Sequence, residues 1–374
     1  MNYTNCYSEL KSQFNSEQDQ IELGWSGVRI NNIKFRSVFP PDDFLNCNDQ
    51  MISENSSFTY PVFSPPSKSK KVILLLHGLN ERSWIKYLAW AHWLSEKTSS
   101  YVILFPISFH INRSPDSWKD PRSMVQVSKT RNSVIGNNDM SSFANVALSN
   151  RLTEDPMRFF NSGQQTVSDL VKLLQTIRQG THEIIPQGCQ LNIFAYSIGA
   201  FLAQILMLSD PENLFSETRL FIFCGGSVFS NMNGRSKLIM DSHAFDKVYN
   251  FYLNDFEDSI RGKSRISEFL RSTQLGIAFR SMIDRSRLRS FRENRFRKLK
   301  DQIQCIVLSG DNVIPAAGVI ETLRETSRLN TVKVLDFPFA CSHENPFPVF
   351  SSRESENVDR SFNMVFEEAA AFFR

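Results

Sequence analysis

The sequence has no long hydrophobic run and no segment typical of a secretory signal. None of the apolar stretches in its 374 residues approaches the length that a bilayer-spanning helix needs. Residues 1–20 contain neither a basic start nor an apolar stretch of signal-peptide length. We therefore expect no transmembrane helix, no secretory leader and a cytoplasmic location.

Cysteine pairs at metal-binding spacing and a strong charge of one sign are also missing. The six cysteines have no CxxC spacing, and Cys224 and Cys305 lie in apolar runs, where a thiol behaves as a small hydrophobic side chain. The formal net charge of +3 is too small to indicate a polyanionic partner. We expect a reducing compartment, no metal, no cofactor and no nucleic-acid partner.

From residue 71 onward, short apolar runs alternate with longer amphipathic stretches. This alternation predicts an α/β fold with a mostly parallel sheet and helices on both faces. A helix with one apolar stripe is expected to end at Gly180. Strands are predicted at residues 72–76, 101–105, 191–194, 220–223, 305–308 and 332–335, after a leading antiparallel pair around residues 28–38 and 58–63.

Two stretches interrupt the alternation. Residues 106–160 are far longer than a median loop, so they are expected to have structure of their own or a role at a site. Residues 225–300 lie between two predicted strands and have a largely helical pattern, which is typical of a cap. We therefore predict a leading segment at 1–70, a core at 71–224 and 301–374, and a helical cap insertion at 225–300.

The run LNIFAYSIGA at residues 191–200 has the pattern of a nucleophile elbow with Ser197 at its tip. A serine on a sharp strand-to-helix turn has a strained backbone, so the residues two before and two after it must be small. Ala195 and Gly199 meet this requirement, although glycine is usual at the first position. Ser197 is therefore the candidate nucleophile.

A serine hydroxyl needs a base to take its proton and a third group to orient that base. In a parallel sheet such groups are expected where strands end. Asp311 directly follows the strand at 305–308, and His343 follows the strand at 332–335. These two residues are the candidate acid and base, with Glu344 and Asp241 as alternatives for the acid.

The negative oxygen of a tetrahedral intermediate must be held by backbone N–H groups that already point at it. Ile198 should supply one donor, because it begins the helix after the serine. The second should come from the turn LLLHGLNE, where Leu79 is the candidate and Asn80 the alternative. His77 is expected to shape this turn and not to titrate in the reaction.

The motifs HG at 77–78, AYSIG at 195–199, GDNVIP at 310–315 and SHENPF at 342–347 resemble, in this order, those of the α/β-hydrolase superfamily. The resemblance covers residue 71 to the C-terminus. It implies a three-layer sandwich with a mostly parallel eight-stranded sheet and a helical cap inserted after the sixth strand. It also implies hydrolysis of an ester, thioester or amide through an acyl-enzyme.

We therefore expect a serine hydrolase that cleaves a carboxylic ester or thioester of a small-molecule acyl substrate. An acyltransferase with the same triad is one alternative. A non-catalytic binding protein with this fold is another, since the presence of three residue types does not establish their geometry.

The loop after residue 105, PISFHINRSPDSWKDPR, combines a histidine, a tryptophan and two arginines. It is either a solvated polar loop or a substrate wall at which an arginine meets an anionic group, because guanidinium suits carboxylate and phosphate. The candidate substrate-binding residues are His110, Arg113, Trp118 and Arg122.

A dense basic run, RSRLRSFRENRFRKLK, covers residues 285–300 of the predicted cap. A solvated cap helix is the simpler interpretation. Contact with an anionic membrane surface or an acidic partner is the alternative. Glutamate interrupts the run and no aromatic stacking platform accompanies it, so nucleic acid is not expected.

Overall fold

The computed structural model describes residues 2–38, 47–324, 331–349 and 354–374. A single mixed sheet crosses these described residues, in the order β1-β2-β3-β5-β4-β6-β7-β8-β9. Its strands are β1 (Gln20–Glu22), β2 (Arg29–Arg36), β3 (Ser57–Ser64), β4 (Lys71–Leu76), β5 (Tyr101–Leu104), β6 (Gln190–Tyr196), β7 (Arg219–Phe223), β8 (Ile303–Leu308) and β9 (Val332–Leu335). The neighbours from β5 to β9 pair in parallel, whereas β1 to β3 join through antiparallel ladders.

Helices cover both faces of this sheet. The described helices are α1 (Tyr3–Gln13), α2 (Cys47–Gln50), α3 (Ser53–Ser56), α4 (Ile85–Thr98), α5 (Asp116–Lys119), α6 (Pro121–Ile135), α7 (Val146–Glu154), α8 (Arg158–Gln179), α9 (Ile198–Ser209), α10 (Ser242–Asn250), α11 (Phe256–Ser259), α12 (Arg265–Ser272), α13 (Gln274–Ser281), α14 (Arg289–Lys298), α15 (Ala316–Leu323) and α16 (Ser355–Phe373). No helix in this part of the chain is both long enough and apolar enough to cross a membrane.

The α/β fold with a mostly parallel sheet is confirmed, with one difference in the strand count. The sheet has nine strands among the described residues, whereas eight were expected. The additional strand is β1, which is three residues long and buries only Ile21. So short a segment with one apolar residue has no alternation from which a strand could be predicted.

The central strands are apolar because helices bury both of their faces. Leu74, Leu75 and Leu76 in β4 have no exposed surface, as expected for a parallel strand between two helical layers. One apolar core joins the sheet to α1, α4 and α16, and the other joins it to α8, α9 and the helices between residues 244 and 296. The helix α8 ends at Gly180, as predicted, and this glycine has a left-handed φ of 74°.

The candidate site lies at the edge where the parallel strands end. Strands β4, β6 and β8 run in the same direction, so Leu76, Tyr196 and Leu308 lie at this edge. The chain leaves the same edge after β5 and after β7 to form its two long insertions. Arg131 of the first insertion forms an ion pair of 2.5 Å with Asp241 of the second. The two insertions therefore contact each other, and both contribute residues to the space beside Ser197, namely Ala144 from the first and Leu238 and Ile239 from the second. The cap at residues 225–300 stays a prediction.

Candidate active site

Ser197 lies on the turn between β6 and α9 in a strained backbone conformation, with φ 56° and ψ −125°. The turn fits only because its neighbours are small. A Cβ at Gly199 would lie 2.6 Å from the carbonyl oxygen of Leu76, and one at Gly225 would lie 2.6 Å from the Cβ of Ala200. Gly225 was missed in the sequence because it belongs to a different strand end. Such strain, where it persists, is often part of a functional site.

Three side chains from three strand ends meet at this turn. Ser197 Oγ lies 2.6 Å from His343 Nε2, and His343 Nδ1 lies 2.7 Å from Asp311 Oδ2. The carboxylate accepts, so Nδ1 carries the proton and Nε2 is left to accept from the serine hydroxyl. The structure thus brings together the predicted serine, histidine and aspartate, each of them less than a tenth exposed.

The aspartate is itself held by backbone groups. Asp311 Oδ1 accepts the N–H groups of Val313 and Ile314, both at 2.9 Å. The two alternative acids have other partners: Glu344 accepts from the hydroxyl of Ser236, and Asp241 caps α10 and binds Arg131. Among the three candidates, Asp311 is therefore the carboxylate that contacts the imidazole.

A second layer of contacts positions the histidine loop. Tyr196 donates its hydroxyl to the carbonyl oxygen of His343, and Lys86 donates to the carbonyl oxygen of Glu344 at 2.9 Å. The ammonium group of Lys86 lies 4.6 Å from the centre of the Tyr196 ring and also pairs with Glu81. Burial raises the pKa of the Tyr196 phenol well above its ordinary value, so the hydroxyl stays a donor. Sequence reasoning missed these residues, because their roles depend on contacts with distant segments.

The turn after β4 contains Leu79 and Asn80, the two residues predicted as the second oxyanion donor. Within the described part of the chain, no group accepts the N–H of Leu79 or that of Ile198, whereas the N–H of Gly78 is taken by the hydroxyl of Tyr87 at 3.0 Å. The alternative residue, Asn80, ties the turn to both insertions through its side-chain amide, which donates to the carbonyl oxygens of Ala144 and Leu238. The turn thus leaves the Leu79 N–H free to bind a ligand.

His77 supports this turn from beneath. Its Nδ1 lies 2.8 Å from the carbonyl oxygen of Gly78, and its Nε2 accepts the N–H of Ile107 at 2.9 Å. Complete burial holds the pKa of His77 well below its usual range, so the ring stays neutral. The ring therefore links the turn to the loop after β5 without carrying a charge.

Two cavities adjoin the turns that carry Ser197 and Leu79. The first, of about 920 Å³ and partly open to solvent, is lined by Ser197 and His343 together with polar groups such as Asn80 and Glu344. The second is mainly apolar, has Leu79 and Ile198 in its lining and shares Leu79 with the first. Its apolar lining includes Phe159, Phe160, Phe201, Leu202, Ile205 and Phe279. The turn with the two free N–H groups thus separates a polar space from an apolar one.

The structure contradicts one of the predicted substrate contacts, that of Arg113. Arg113 has no exposed surface, and its guanidinium donates to Asp169 Oδ2 at 2.8 Å and to Asn55 Oδ1 at 3.0 Å. The prediction that it faces the substrate is wrong, because its donors are used to hold the loop to the core. Arg122 is exposed in the first turn of α6 and lines neither cavity, and its contact with a substrate stays a prediction.

The other two predicted residues do lie near the cavities. His110 is buried and lines the apolar cavity. Trp118 lies beside a smaller space that His110 and Arg151 also line, and the guanidinium of Arg151 is 5.0 Å from the centre of its ring. The loop thus contributes to the walls of the site through its aromatic residues.

The basic run of the cap is largely engaged in contacts within the chain. Arg287 pairs with Glu257 and Arg285 with Glu321, while the buried Arg292 donates to backbone carbonyl groups, among them that of Asp284 at 3.0 Å. Contact of this run with a membrane or an acidic partner stays a prediction.

Several solved structures are similar to this chain over nearly its whole length. A mutant of the esterase rPPE in complex with (S)-Ac-CPA is similar with a TM-score of 0.50 and 11% identity, over 100% of this chain and 91% of that chain. Carboxyl esterase 2 from the mycorrhizal fungus Tuber melanosporum has a TM-score of 0.49 and 7% identity, over 98% and 96%. An S-formylglutathione hydrolase from Agrobacterium tumefaciens has a TM-score of 0.46 and 13% identity, over 93% and 97%.

At such low identity the likeness to the rPPE esterase concerns the fold alone, and it confirms that this is an α/β-hydrolase fold. No curated protein matches the chain. The family comparison, in contrast, matches residues 43–374 and so covers most of the sequence. The chain therefore belongs to DUF6051, a family of unknown function.

Proposed function

We propose that this protein is a serine hydrolase that cleaves a carboxylic ester or thioester with an apolar acyl group. The observation that carries the proposal is the hydrogen-bonded series from Ser197 Oγ to His343 Nε2 and from His343 Nδ1 to Asp311, built on a strained serine. A serine, a base and a group that orients the base are the parts that nucleophilic catalysis needs.

In the proposed reaction, His343 Nε2 takes the proton of Ser197 while Oγ attacks the carbonyl carbon of the substrate. The resulting negative oxygen accepts the N–H groups of Leu79 and Ile198, which have no acceptor in the described part of the chain. His343 then gives its proton to the leaving alcohol or thiol, and the acyl group stays on Ser197. Water, deprotonated by the same imidazole, releases the acid. Asp311 keeps the imidazole in the required tautomer throughout.

The two cavities suggest how the substrate lies. An acyl chain would enter the apolar cavity past Leu79 and Ile198, because burial against aromatic and aliphatic side chains favours hydrocarbon. The leaving group would lie in the polar cavity beside His343, where it can take up a proton. This arrangement favours an apolar acyl group over an apolar alcohol.

Labelling with a fluorophosphonate tests the nucleophile. We expect the folded protein to be labelled and Ser197→Ala to remain unlabelled. Ser95→Ala is a matched control, because Ser95 is equally buried and its hydroxyl has no hydrogen-bond partner within the described residues. Absence of label on the folded wild-type protein would contradict the proposal and favour a non-catalytic binding protein.

Filling the apolar cavity tests the placement of the acyl chain. Gly163 lines this cavity, and a Cβ added there would contact nothing within 4 Å. We expect Gly163→Leu to lower kcat/KM for p-nitrophenyl decanoate about tenfold more than for the acetate, since it fills the space that only the longer chain needs. Gly163→Ala should give a smaller change in the same direction. An equal loss for both esters would place the acyl chain elsewhere.

A further inference from the structure

His110 is a buried polar group without a partner for one of its ring nitrogens. It is 5% exposed and lines the apolar cavity. Its Nδ1 lies 2.9 Å from the carbonyl oxygen of Ser108, whereas its Nε2 has no hydrogen-bond partner within the described chain. A buried polar atom without a partner costs free energy unless a ligand or water satisfies it.

The chemistry of this nitrogen follows from the contact on the other side of the ring. A carbonyl oxygen can only accept, so Nδ1 is the protonated nitrogen and Nε2 is an acceptor. Burial lowers the pKa of His110 to about 4, which keeps the ring neutral at physiological pH. Both neighbours of His110 have left-handed backbone, with φ 66° at Phe109 and 52° at Ile111, a strained conformation that is often found at functional sites.

Arg151 supplies a donor next to this acceptor. It lines the same cavity, and its guanidinium lies 4.0 Å from the centre of the Phe109 ring. Its Nη2 is 3.0 Å from Asp49 Oδ1 but has no hydrogen bond of acceptable geometry. An acceptor without a partner and the guanidinium of Arg151, whose Nη2 faces Asp49, therefore line one otherwise mainly apolar cavity.

A polar group that binds here must match both side chains, and the position of His110 limits where on the acyl chain that group can lie. The ring of His110 is 5.4 Å, centre to centre, from that of His77, which supports the oxyanion turn. A group that binds His110 is therefore close to the reacting carbonyl and not at the far end of a long chain.

We propose that the acyl group of the substrate carries a hydroxyl near its carbonyl end, which donates to His110 Nε2 and accepts from Arg151. This inference rests on the proposed hydrolase function. A carboxylate has no proton to donate to His110 at neutral pH, and an ammonium group would be repelled by Arg151. A hydroxyl is the smallest group that donates and accepts at once.

Four p-nitrophenyl esters test the proposal: the octanoate, the 3-hydroxyoctanoate, the 8-hydroxyoctanoate and the 7-carboxyheptanoate. We expect kcat/KM for the 3-hydroxy ester to exceed that for the octanoate by about 10- to 100-fold, because a site built around a hydroxyl leaves its own polar groups unpaired when the hydroxyl is missing. The 8-hydroxy and carboxylate esters should show no such gain. A ratio near one for the 3-hydroxy ester, or a larger gain for either of the others, would overturn the proposal.

Variants of His110 and Arg151 test whether these residues cause the preference for the 3-hydroxy ester. His110→Phe keeps an aromatic ring but removes the acceptor, so the ratio of kcat/KM for the 3-hydroxy ester to that for the octanoate should fall to about one. Arg151→Met should lower the ratio as well, and it carries the test if His110→Phe does not fold. His182→Phe is the control, since His182 is also engaged in a hydrogen bond, with Tyr60 at 2.9 Å, but lines neither cavity. If this ratio keeps its wild-type value in both His110→Phe and Arg151→Met, the assignment of the hydroxyl site to these two residues is overturned.

Binding without turnover separates this inference from the proposed function. Calorimetry with the Ser197→Ala protein compares methyl 3-hydroxyoctanoate with methyl octanoate. Tighter binding of the hydroxy ester by about tenfold or more is expected even if no ester is hydrolysed by the wild-type protein. Equal binding of the two methyl esters would overturn the proposed hydroxyl site, whereas failure of every p-nitrophenyl ester to react would contradict only the hydrolase.

Discussion

Two buried polar networks in this molecule connect distant parts of the chain, and they differ in what they leave open. One joins Ser197, His343 and Asp311. The other joins Arg113 to Asp169, whose Oδ1 also accepts from the hydroxyl of Ser37 at 2.9 Å. Every residue named in these two networks is less than a tenth exposed. Burial and hydrogen bonding alone therefore do not distinguish a reactive site from a structural one.

The difference lies in the surroundings of each network. Ser197 and His343 line a cavity, and two backbone N–H groups beside them have no acceptor in the described chain. Arg113 and Asp169 line neither cavity, and their polar atoms are engaged with Asn55, Ser37 and the backbone of Pro106 and Val38. A buried polar network can bind a substrate only if some of its donors and acceptors are still available, which is a feature that composition does not reveal.

The largest expected effect comes from removing the nucleophile. Ser197→Ala should lower kcat on any accepted ester by about six orders of magnitude, as in serine hydrolases whose triads have been dissected. It should not lower the free energy of unfolding, because the strained serine contributes chemistry and not packing. Steady-state kinetics and urea unfolding of the same sample measure both quantities. Loss of stability together with activity would make the Ser197 network resemble the Arg113 network.

The next effect concerns the residue that orients the base. Asp311→Asn keeps the shape of the side chain but offers an amide in place of the carboxylate that accepts from His343 Nδ1. We expect kcat to fall by about four orders of magnitude, since the imidazole is then held in the wrong tautomer. Glu344→Gln, at the neighbouring carboxylate that binds Ser236, serves for comparison. A larger loss for Glu344→Gln than for Asp311→Asn would reverse the assignment of the acid.

Breaking the other network should affect folding instead of catalysis. Asp169→Ala leaves the fully buried Arg113 charge without its partner, which costs about 3–5 kcal/mol of unfolding free energy. The ester preference of the protein that remains folded should stay as in the wild type. Asp116→Ala removes an ion pair whose carboxylate side chain is 98% exposed, and it should change stability little. Urea unfolding and kinetics on folded protein check both statements.

A smaller effect is expected on the free energy of unfolding when the pH is lowered. Burial lowers the pKa of His92 and of His110 to about 4, whereas an unfolded histidine titrates near 6.5. Between these values the unfolded state binds more protons than the folded state, so stability falls as the pH is lowered. From pH 7 to pH 5 the loss should be about 1–2 kcal/mol for each histidine. Urea unfolding at both pH values measures it.

The variant His92→Phe tests whether His92 contributes to this loss of stability at low pH. His92→Phe should show a smaller loss between pH 7 and pH 5 than the wild type, because one of the groups that bind a proton only when unfolded is gone. His92 lies beside Cys6 and Ser26, away from both cavities. An unchanged loss would assign the pH dependence to other groups.

The sequence was most informative where the structural signal is local. Ser197, Asp311 and His343 each follow a recognisable apolar strand, so their order and their common sheet edge could be predicted. The fold class followed from the same alternation. In contrast, β1 has a single buried residue and could not be distinguished from a loop.

The role of Arg113 could not be predicted, because it depends on a partner 56 residues away along the chain. An arginine that binds a substrate and an arginine that holds a loop have the same local sequence, and the folding of residues 106–160 decides between them. Neither does the sequence reveal that Lys86 and Tyr196 position the histidine loop. Such contacts between distant segments are set by tertiary packing, which leaves no periodicity in the chain.

The imidazole of His77 couples two segments of the chain. One of its nitrogens contacts the turn that carries the Leu79 N–H, and the other holds the backbone of Ile107, three residues before His110. The turn proposed to bind the oxyanion and the loop proposed to select the acyl group are therefore mechanically joined through one imidazole. A mutation that shifts this loop is therefore expected to shift the turn that carries the Leu79 N–H as well.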